Sequence, residues 1–209
     1  TESPMKPRPL GATNPPSNPE LLAALAKVPR HRFVSAALID QAYADHPLPL
    51  SSGQTISQPY VVALSTQLAC AAAGKRALDI GTGSGYQAAV LAEICQQVDT
   101  IEILPELAEQ ARTLLHELGY ANVAVHVGDG SQGWPAAAPY DLIIAAAAPR
   151  TIPPSLIDHL APGGRLVIPV GEGNQHLMLV EKDADGSVRT TKHCAVRYVP
   201  MIDGNPARH

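Results

Sequence analysis

Ala77-Leu78-Asp79-Ile80-Gly81-Thr82-Gly83-Ser84-Gly85-Tyr86 is the stretch that decides the fold. Four residues suited to a buried strand run into three glycines set two apart, and a helical pattern follows. Glycine lets a backbone turn tightly beside a strand end and leaves room where a side chain would sit. In an open α/β sheet, ligands settle at the carboxyl ends of strands. The spacing is G-x-G-x-G rather than the dinucleotide G-x-G-x-x-G, and no P-loop lysine follows. Taken alone, the stretch reads equally as a plain strand-to-helix turn.

The chain around it supports a sheet. Lys75 to Ile80, Val98 to Ile103, Val123 to Val127, Tyr140 to Ala146 and Arg165 to Pro169 read as strands. Helical patterns separate them: Tyr86 to about Cys95, Pro105 to Leu118 closed by Gly119, and Pro154 to Leu160 closed by Pro162-Gly163-Gly164. His176 to Lys182 and Val188 to Val199 then flank the turn Asp183-Ala184-Asp185-Gly186. This order predicts an α/β fold, Rossmann-like and doubly wound, with a mostly parallel sheet and an antiparallel edge.

Composition fits one such domain. The chain has 209 residues, 45% hydrophobic and 16% charged, with a formal net charge of −4. No basic run offers a footprint for nucleic acid. No apolar segment reaches the length of a membrane span. Cys70, Cys95 and Cys194 match neither a metal spacing nor a disulfide framework, and no His or carboxylate pair has ligand spacing. The expectation is no metal, buried free thiols and a reducing cytoplasm. Residues 1–19 carry six prolines and little apolar content, and read as a disordered tail ahead of a single domain over 20–209. Asn18-Pro19-Glu20 opens a helix with Leu21, Leu22, Leu25 and Val28 on one face.

Two more strand ends carry features that could meet a ligand. Glu102 follows Gly85 by 17 residues, where an acid can hold a ribose hydroxyl pair; a surface glutamate is the plain alternative. Gly128-Asp129-Gly130 ends the third strand, and Asp-Gly is also an ordinary turn. Upstream, Tyr43 to Pro59 is too long and polar for a simple connector. Ser57 can cap the helix through Val61, Leu64, Leu68 and Ala72, or present its hydroxyl to a substrate carboxylate. The charges of Arg30-His31-Arg32 read either as a solvated surface or as facing an anionic group. Ser84 lacks the G-x-S-x-G elbow of a serine hydrolase.

With these residues in hand, the chain resembles a class I S-adenosylmethionine-dependent methyltransferase. More narrowly it resembles the protein-L-isoaspartate O-methyltransferase family, over about residues 20 to 202. The resemblance is carried by Val28-Pro29-Arg30-His31-Arg32-Phe33-Val34, Tyr43-Ala44-Asp45, Leu48-Pro49-Leu50, Gly53-Gln54-Thr55-Ile56-Ser57-Gln58-Pro59-Tyr60 and the glycine turn. Gly128-Asp129-Gly130 with Gly133-Trp134, Pro162-Gly163-Gly164-Arg165-Leu166 and Val196-Arg197-Tyr198-Val199-Pro200 complete it. The glycine motif is shared by many methyltransferases, whereas Gln54 to Pro59 and the Val196 to Pro200 ending are specific to this family. Leu50-Ser51-Ser52 departs from the residues usual before the Gln-Thr-Ile-Ser run.

The resemblance implies S-adenosyl-L-methionine as cofactor and S-adenosyl-L-homocysteine as product. It implies that Gly81, Gly83 and Gly85, with Asp79, Thr82 and Ser84, wrap the methionine part. Glu102 holds the ribose hydroxyls, Asp129 with Gly130 borders the adenine, and Thr55, Ile56, Ser57 and Ile103 are further cofactor contacts. Thr55, Ile56 and Ser57 lie over the active site, with Ser57 as the active-site serine. Gln54, Thr55, Ser57, Tyr198 and Val199 meet the substrate, an isoaspartyl-containing protein or peptide. A monomer that binds neither nucleic acid nor membrane is expected. Two other classes stay open: a methyltransferase for an aspartate of a modified peptide or a small-molecule acid, and a cofactor-binding module without catalysis.

Overall fold

The computed structural model describes residues 15–70, 76–202 and 204. The proline-rich stretch up to residue 14 lies outside them. Five α-helices are present among the described residues: α1 (Pro19–Lys27), α2 (Pro59–Ala69), α3 (Tyr86–Ala92), α4 (Pro105–Glu117) and α5 (Pro154–Asp158). The main sheet holds β3 (Arg76–Ile80), β4 (Gln97–Glu102), β5 (Val123–Val127), β6 (Tyr140–Ala145), β7 (Leu160–Val170), β8 (Gln175–Lys182) and β9 (Val188–Val196). A two-stranded ribbon pairs β1 (Leu48–Pro49) with β2 (Thr55–Ile56).

The main sheet runs β5-β4-β3-β6-β7-β8-β9. Its first five strands are parallel, β8 is antiparallel to β7, and β9 to β8. The doubly wound fold with an antiparallel edge is therefore as expected, and that edge is two strands wide. The strand order reverses between β3 and β6, because β3 is followed in sequence by β4 on one side and paired with β6 on the other. A crevice opens at such a switch point, at the carboxyl ends of the strands.

Period-two alternation divides the core between the two sheet faces. Ala77, Val98, Leu142, Ile144 and Val167 pack with Leu21, Val28, Val62 and Leu91 from the helices on one face. Leu78, Ile80, Ile101, Ile143, Leu166 and Ile168 pack with Leu156 and Trp134 on the other. Both faces are covered, which is why the central strands read as near-continuous apolar runs.

Local signals set most helix ends. Asn18 caps α1 by accepting from Leu21 N at 3.1 Å, with Pro19 at the first position. Gly119, at φ 83°, ends α4 in the left-handed conformation. Differences from expectation fall at boundaries. α3 stops at Ala92 rather than near Cys95, and β9 stops at Val196 rather than Val199. Pro162-Gly163-Gly164 does not close a helix: α5 ends at Asp158 and these residues lie inside β7. Gly164 is required there, because a Cβ would sit 2.8 Å from the Ala161 carbonyl oxygen. The ribbon of β1 and β2 is too short to leave a periodic signal in the sequence.

Candidate active site

The glycine turn between β3 and α3 uses all three glycines for backbone conformation. Gly81, Gly83 and Gly85 have φ of 90°, 51° and 88°, a region that side chains disfavour. The turn is stitched to β4 by Gly81 N and Thr82 N, which donate to the Ile101 carbonyl at 2.8 and 3.1 Å. Beneath it, the Thr82 hydroxyl lies 2.7 Å from that of Thr100, which donates to Asp79 Oδ2 at 2.8 Å. Asp79 is wholly buried and its Oδ1 has no hydrogen-bond partner among the described residues. Burial pushes the Asp79 carboxyl up to about 7, with the Thr100 hydroxyl pulling it down and the Glu102 charge adding to the rise.

Glu102 ends β4 with its carboxylate turned back over the turn. Oε2 accepts from Gly83 N at 2.9 Å and Oε1 from Leu104 N at 3.1 Å. It is nearly buried yet lines a cavity. Each carboxylate oxygen has two lone pairs, so both keep capacity for a ligand hydroxyl. After β5, Gly130 also lines the cavity, and a Cβ there would meet Ile80 Cγ2 at 2.4 Å.

The cavity has a volume of about 480 Å3 and lies across the carboxyl ends of β3, β4 and β6. Ile80, Gly81, Gly83, Glu102, Ile103 and Gly130 form one side, with Ala146 and Ala147 beyond β6. Gln54, Thr55, Ser57 and Gln58 form a second side. The third is a strap over Ala195 to Ile202, including Tyr198 and Val199.

Of the residues expected at the site, Gln54, Thr55, Ser57, Gly81, Gly83, Glu102, Ile103, Gly130, Tyr198 and Val199 therefore share one cavity. Ile56, Asp79, Thr82, Ser84, Gly85 and Asp129 are not on its wall. Ile56 is buried in the core beneath the ribbon. Gly85 starts α3, and Ser84 Oγ accepts from Tyr86 N at 3.3 Å. Both Asp129 oxygens accept from backbone: Oδ1 from Ser131 N at 2.8 Å and Oδ2 from Gly204 N at 3.1 Å.

Ser57 does not cap α2. The cap position is Gln58, which makes no side-chain cap bond. Asp45 serves instead from a distance: its Oδ1 accepts from Tyr60 N and its Oδ2 from Gln58 Nε2, both at 2.9 Å. The Ser57 hydroxyl is left to the cavity.

Arg30 is not a solvated surface charge, and Asp45 is the carboxylate that acts on it. It is 1% exposed, and its Nε and Nη2 donate to the carbonyls of Ala42 and Ser57 at 2.7 and 2.8 Å. Its guanidinium lies over the Tyr86 ring, 4.7 Å from the centroid.

The strap is pinned along its length. Gln175, at the start of β8, holds both backbone groups of Tyr198: Oε1 accepts from its N–H at 2.6 Å and Nε2 donates to its carbonyl at 3.0 Å. Ala148 N donates to the Val199 carbonyl and Met201 N to the Ala148 carbonyl, at 2.9 and 2.8 Å. Burial pushes the Tyr198 hydroxyl up to about 12, so it remains a neutral donor at physiological pH. Sequence reasoning did not find Gln175, Ala146 or Ala147. The run of small residues at 145–148, directly after an apolar strand, was the available signal for the last two.

Comparison with known proteins follows the same lines. The family model "Protein-L-isoaspartate(D-aspartate) O-methyltransferase" matches residues 14–206. A protein-L-isoaspartate O-methyltransferase 1 of Nitrosospira multiformis is 52% identical over 194 residues, covering 92% of this chain and 82% of the relative. One from Picosynechococcus is 52% identical over 185 residues, covering 88% and 83%. A solved protein-L-isoaspartate O-methyltransferase superposes with a TM-score of 0.81 at 27% identity; the match covers 90% of this chain and 62% of that longer one. A Plasmodium falciparum structure determined with S-adenosyl-L-homocysteine shares the fold at TM-score 0.77 and 23% identity, over 90% and 92% of the two chains.

Proposed function

The chain belongs to the protein-L-isoaspartate(D-aspartate) O-methyltransferase family, and from that premise we propose how its cavity carries out the family's reaction. The enzyme transfers a methyl group from S-adenosyl-L-methionine to the free carboxylate of L-isoaspartyl, and D-aspartyl, residues in damaged proteins and peptides. The products are a methyl ester, from which repair through a succinimide starts, and S-adenosyl-L-homocysteine.

The observation that carries this reading is one cavity walled by the glycine turn and Glu102 on one side and by Ser57 and Tyr198 on the other. The first side fits the cofactor. Gly81 and Gly83 present bare backbone, and the Glu102 carboxylate keeps acceptor capacity for two ribose hydroxyls. Ile103 and Gly130 border the base. Asp79, Thr82, Ser84, Gly85 and Asp129 act from behind, by holding the turn, α3 and the strap in place. The bound cofactor supplies an electrophilic methyl on a sulfonium.

The second side takes the substrate. A carboxylate is ionised at neutral pH, with a reference pKa of about 4, so no general base is needed. That agrees with a cavity wall that holds no histidine or cysteine among the described residues. The chain's own contribution is alignment and exclusion of water. Ser57 donates its hydroxyl to the substrate carboxylate, and Gln54, Thr55, Tyr198 and Val199 border the peptide. Ser57 to alanine is expected to lower kcat about tenfold, the scale of one hydrogen bond to a charged group, with cofactor affinity changed less than about twofold. Wild-type turnover in that variant removes Ser57 from the mechanism.

The enzyme is read as a single domain over 20–209 that works as a monomer in the cytoplasm, without nucleic-acid partners. The three cysteines carry no disulfide, which suits a reducing compartment. Among the described residues no helix is long and apolar enough to cross a membrane. The deciding experiment offers an isoaspartyl peptide and its normal aspartyl twin, with base-labile methanol as the readout. Transfer to the isoaspartyl peptide alone is expected; equal transfer to both, or to neither, overturns the assignment.

A further inference from the structure

We propose that Arg30 and Asp45 form a two-point clamp that positions Ser57 for catalysis, so that both residues act on turnover through Ser57. This rests on the role given to Ser57 above.

Ser57 sits in a stretch with little regular structure to hold it. The ribbon ends at Ile56 and α2 begins at Pro59, leaving Ser57 and Gln58 between them. Pro59 has no N–H, and Gln58 makes no cap bond, so the backbone there lacks its usual local partners. Two side chains from the preceding segment supply them. Arg30 donates to the Ser57 carbonyl, which fixes the peptide plane that follows Ser57. Asp45 accepts from Gln58 Nε2 and Tyr60 N, which fixes the start of α2.

Arg30 can hold its end firmly because it has no freedom of its own. Its Nε and Nη2 are committed to two carbonyls, Nη1 has no hydrogen-bond partner among the described residues, and the Tyr86 ring covers its flat face. Phe33 packs edge-on against the same ring, with centroids 5.5 Å apart. A lysine carries a single point of donation and cannot bridge both carbonyls in this geometry. Tyr86 is the first residue of α3, directly after the glycine turn, so the clamp refers the position of Ser57 to the cofactor side of the cavity.

The test is a double-mutant cycle. In the wild-type background, Arg30→Lys is expected to lower kcat about tenfold and Asp45→Ala about threefold. The dissociation constant for S-adenosyl-L-homocysteine should change less than about threefold. In the Ser57→Ala background, neither substitution should lower kcat further by more than about twofold. Phe33→Leu is the packing control: it loosens the same ring contact while keeping the carbonyl bonds, and its effect should be the same in both backgrounds. Full, additive losses from Arg30→Lys and Asp45→Ala in the Ser57→Ala background overturn the clamp. If Arg30→Lys does not fold, the exposed Asp45→Ala cycle decides alone. A wild-type enzyme inactive on isoaspartyl peptides refutes the function itself, which is a separate result from additivity in an active enzyme.

Discussion

The two sides of the cavity are built by different means. The glycine turn is held by backbone bonds between adjacent parallel strands and by the left-handed conformation of its own glycines. The Ser57 stretch and the strap are held by side chains that reach from elsewhere: Arg30 to Ser57, Asp45 to Tyr60, Gln175 to Tyr198 and Asp129 to Gly204. A turn inside a βαβ unit takes its partners from the backbone of the adjacent strand, here the Ile101 carbonyl. An irregular segment has to borrow hydrogen-bond partners over a distance, because buried N–H and C=O groups must be satisfied. On the function proposed above, the first side takes the cofactor and the tethered side takes the peptide.

If this contrast is correct, single substitutions should separate binding of cofactor from binding of peptide. The largest effect is expected from Glu102→Ala. It leaves Gly83 N and Leu104 N without their acceptor and removes the ribose partner, each charge-assisted bond being worth about 1.5–3 kcal/mol. Affinity for S-adenosyl-L-homocysteine, measured by calorimetry, should fall at least about 100-fold. A fall under tenfold would place the ribose elsewhere.

Next comes Gln175→Ala, which touches no part of the cofactor side. It frees both backbone groups of Tyr198. The expected outcome is a rise in KM for an isoaspartyl peptide of about tenfold, the scale of one to two neutral hydrogen bonds, with cofactor affinity unchanged within about twofold. Parallel losses in both would mean that the strap serves the two sides together.

The smallest effect concerns stability. The Asp79 carboxyl titrates at about 7 in the folded chain against an ordinary value near 3.8. Between those values the folded state holds a proton that the unfolded state has lost. This group's contribution to stability is therefore greatest below pH ~4 and falls as pH rises to ~7. Asp79→Asn keeps an acceptor for the Thr100 hydroxyl and removes the charge. In cofactor-free protein at pH 8 it should raise Tm by a few degrees, on the order of 1–2 kcal/mol, and flatten the loss of stability between pH 4 and 7. A lowered Tm at pH 8 would show that Asp79 is stabilised as an anion by contacts outside this network.

What the sequence revealed follows the same division. The strand-turn-helix at Gly81 to Gly85, the acid at Glu102 and the cap at Asn18 were all readable, because each carries a signal in residue type and spacing. Ser57 and Tyr198 could be placed at the site by family resemblance. How they are held could not be read. Gln175 lies just before the expected strand His176 to Lys182, and Arg30 sits in a run of charges that reads as a solvated surface or as facing an anionic group. Only the folded chain shows that one grips Tyr198 and the other lies buried over Tyr86. Asp129 was expected at the cofactor because it ends a strand beside Gly130, and that its oxygens also hold Ser131 N and Gly204 N is seen only in the folded chain. Composition and spacing cannot tell a ligand contact from a tether when both use a carboxylate at a strand end.

The strap also sets an order of events during synthesis. The parallel strands are complete at Val170, whereas the third wall of the cavity spans Ala195 to Ile202 and is pinned as far along as Gly204. A chain emerging from the ribosome can form the sheet and its glycine turn while this last wall is still being made. Competence to close around a peptide therefore arrives late, after the platform that would carry the cofactor has already taken shape.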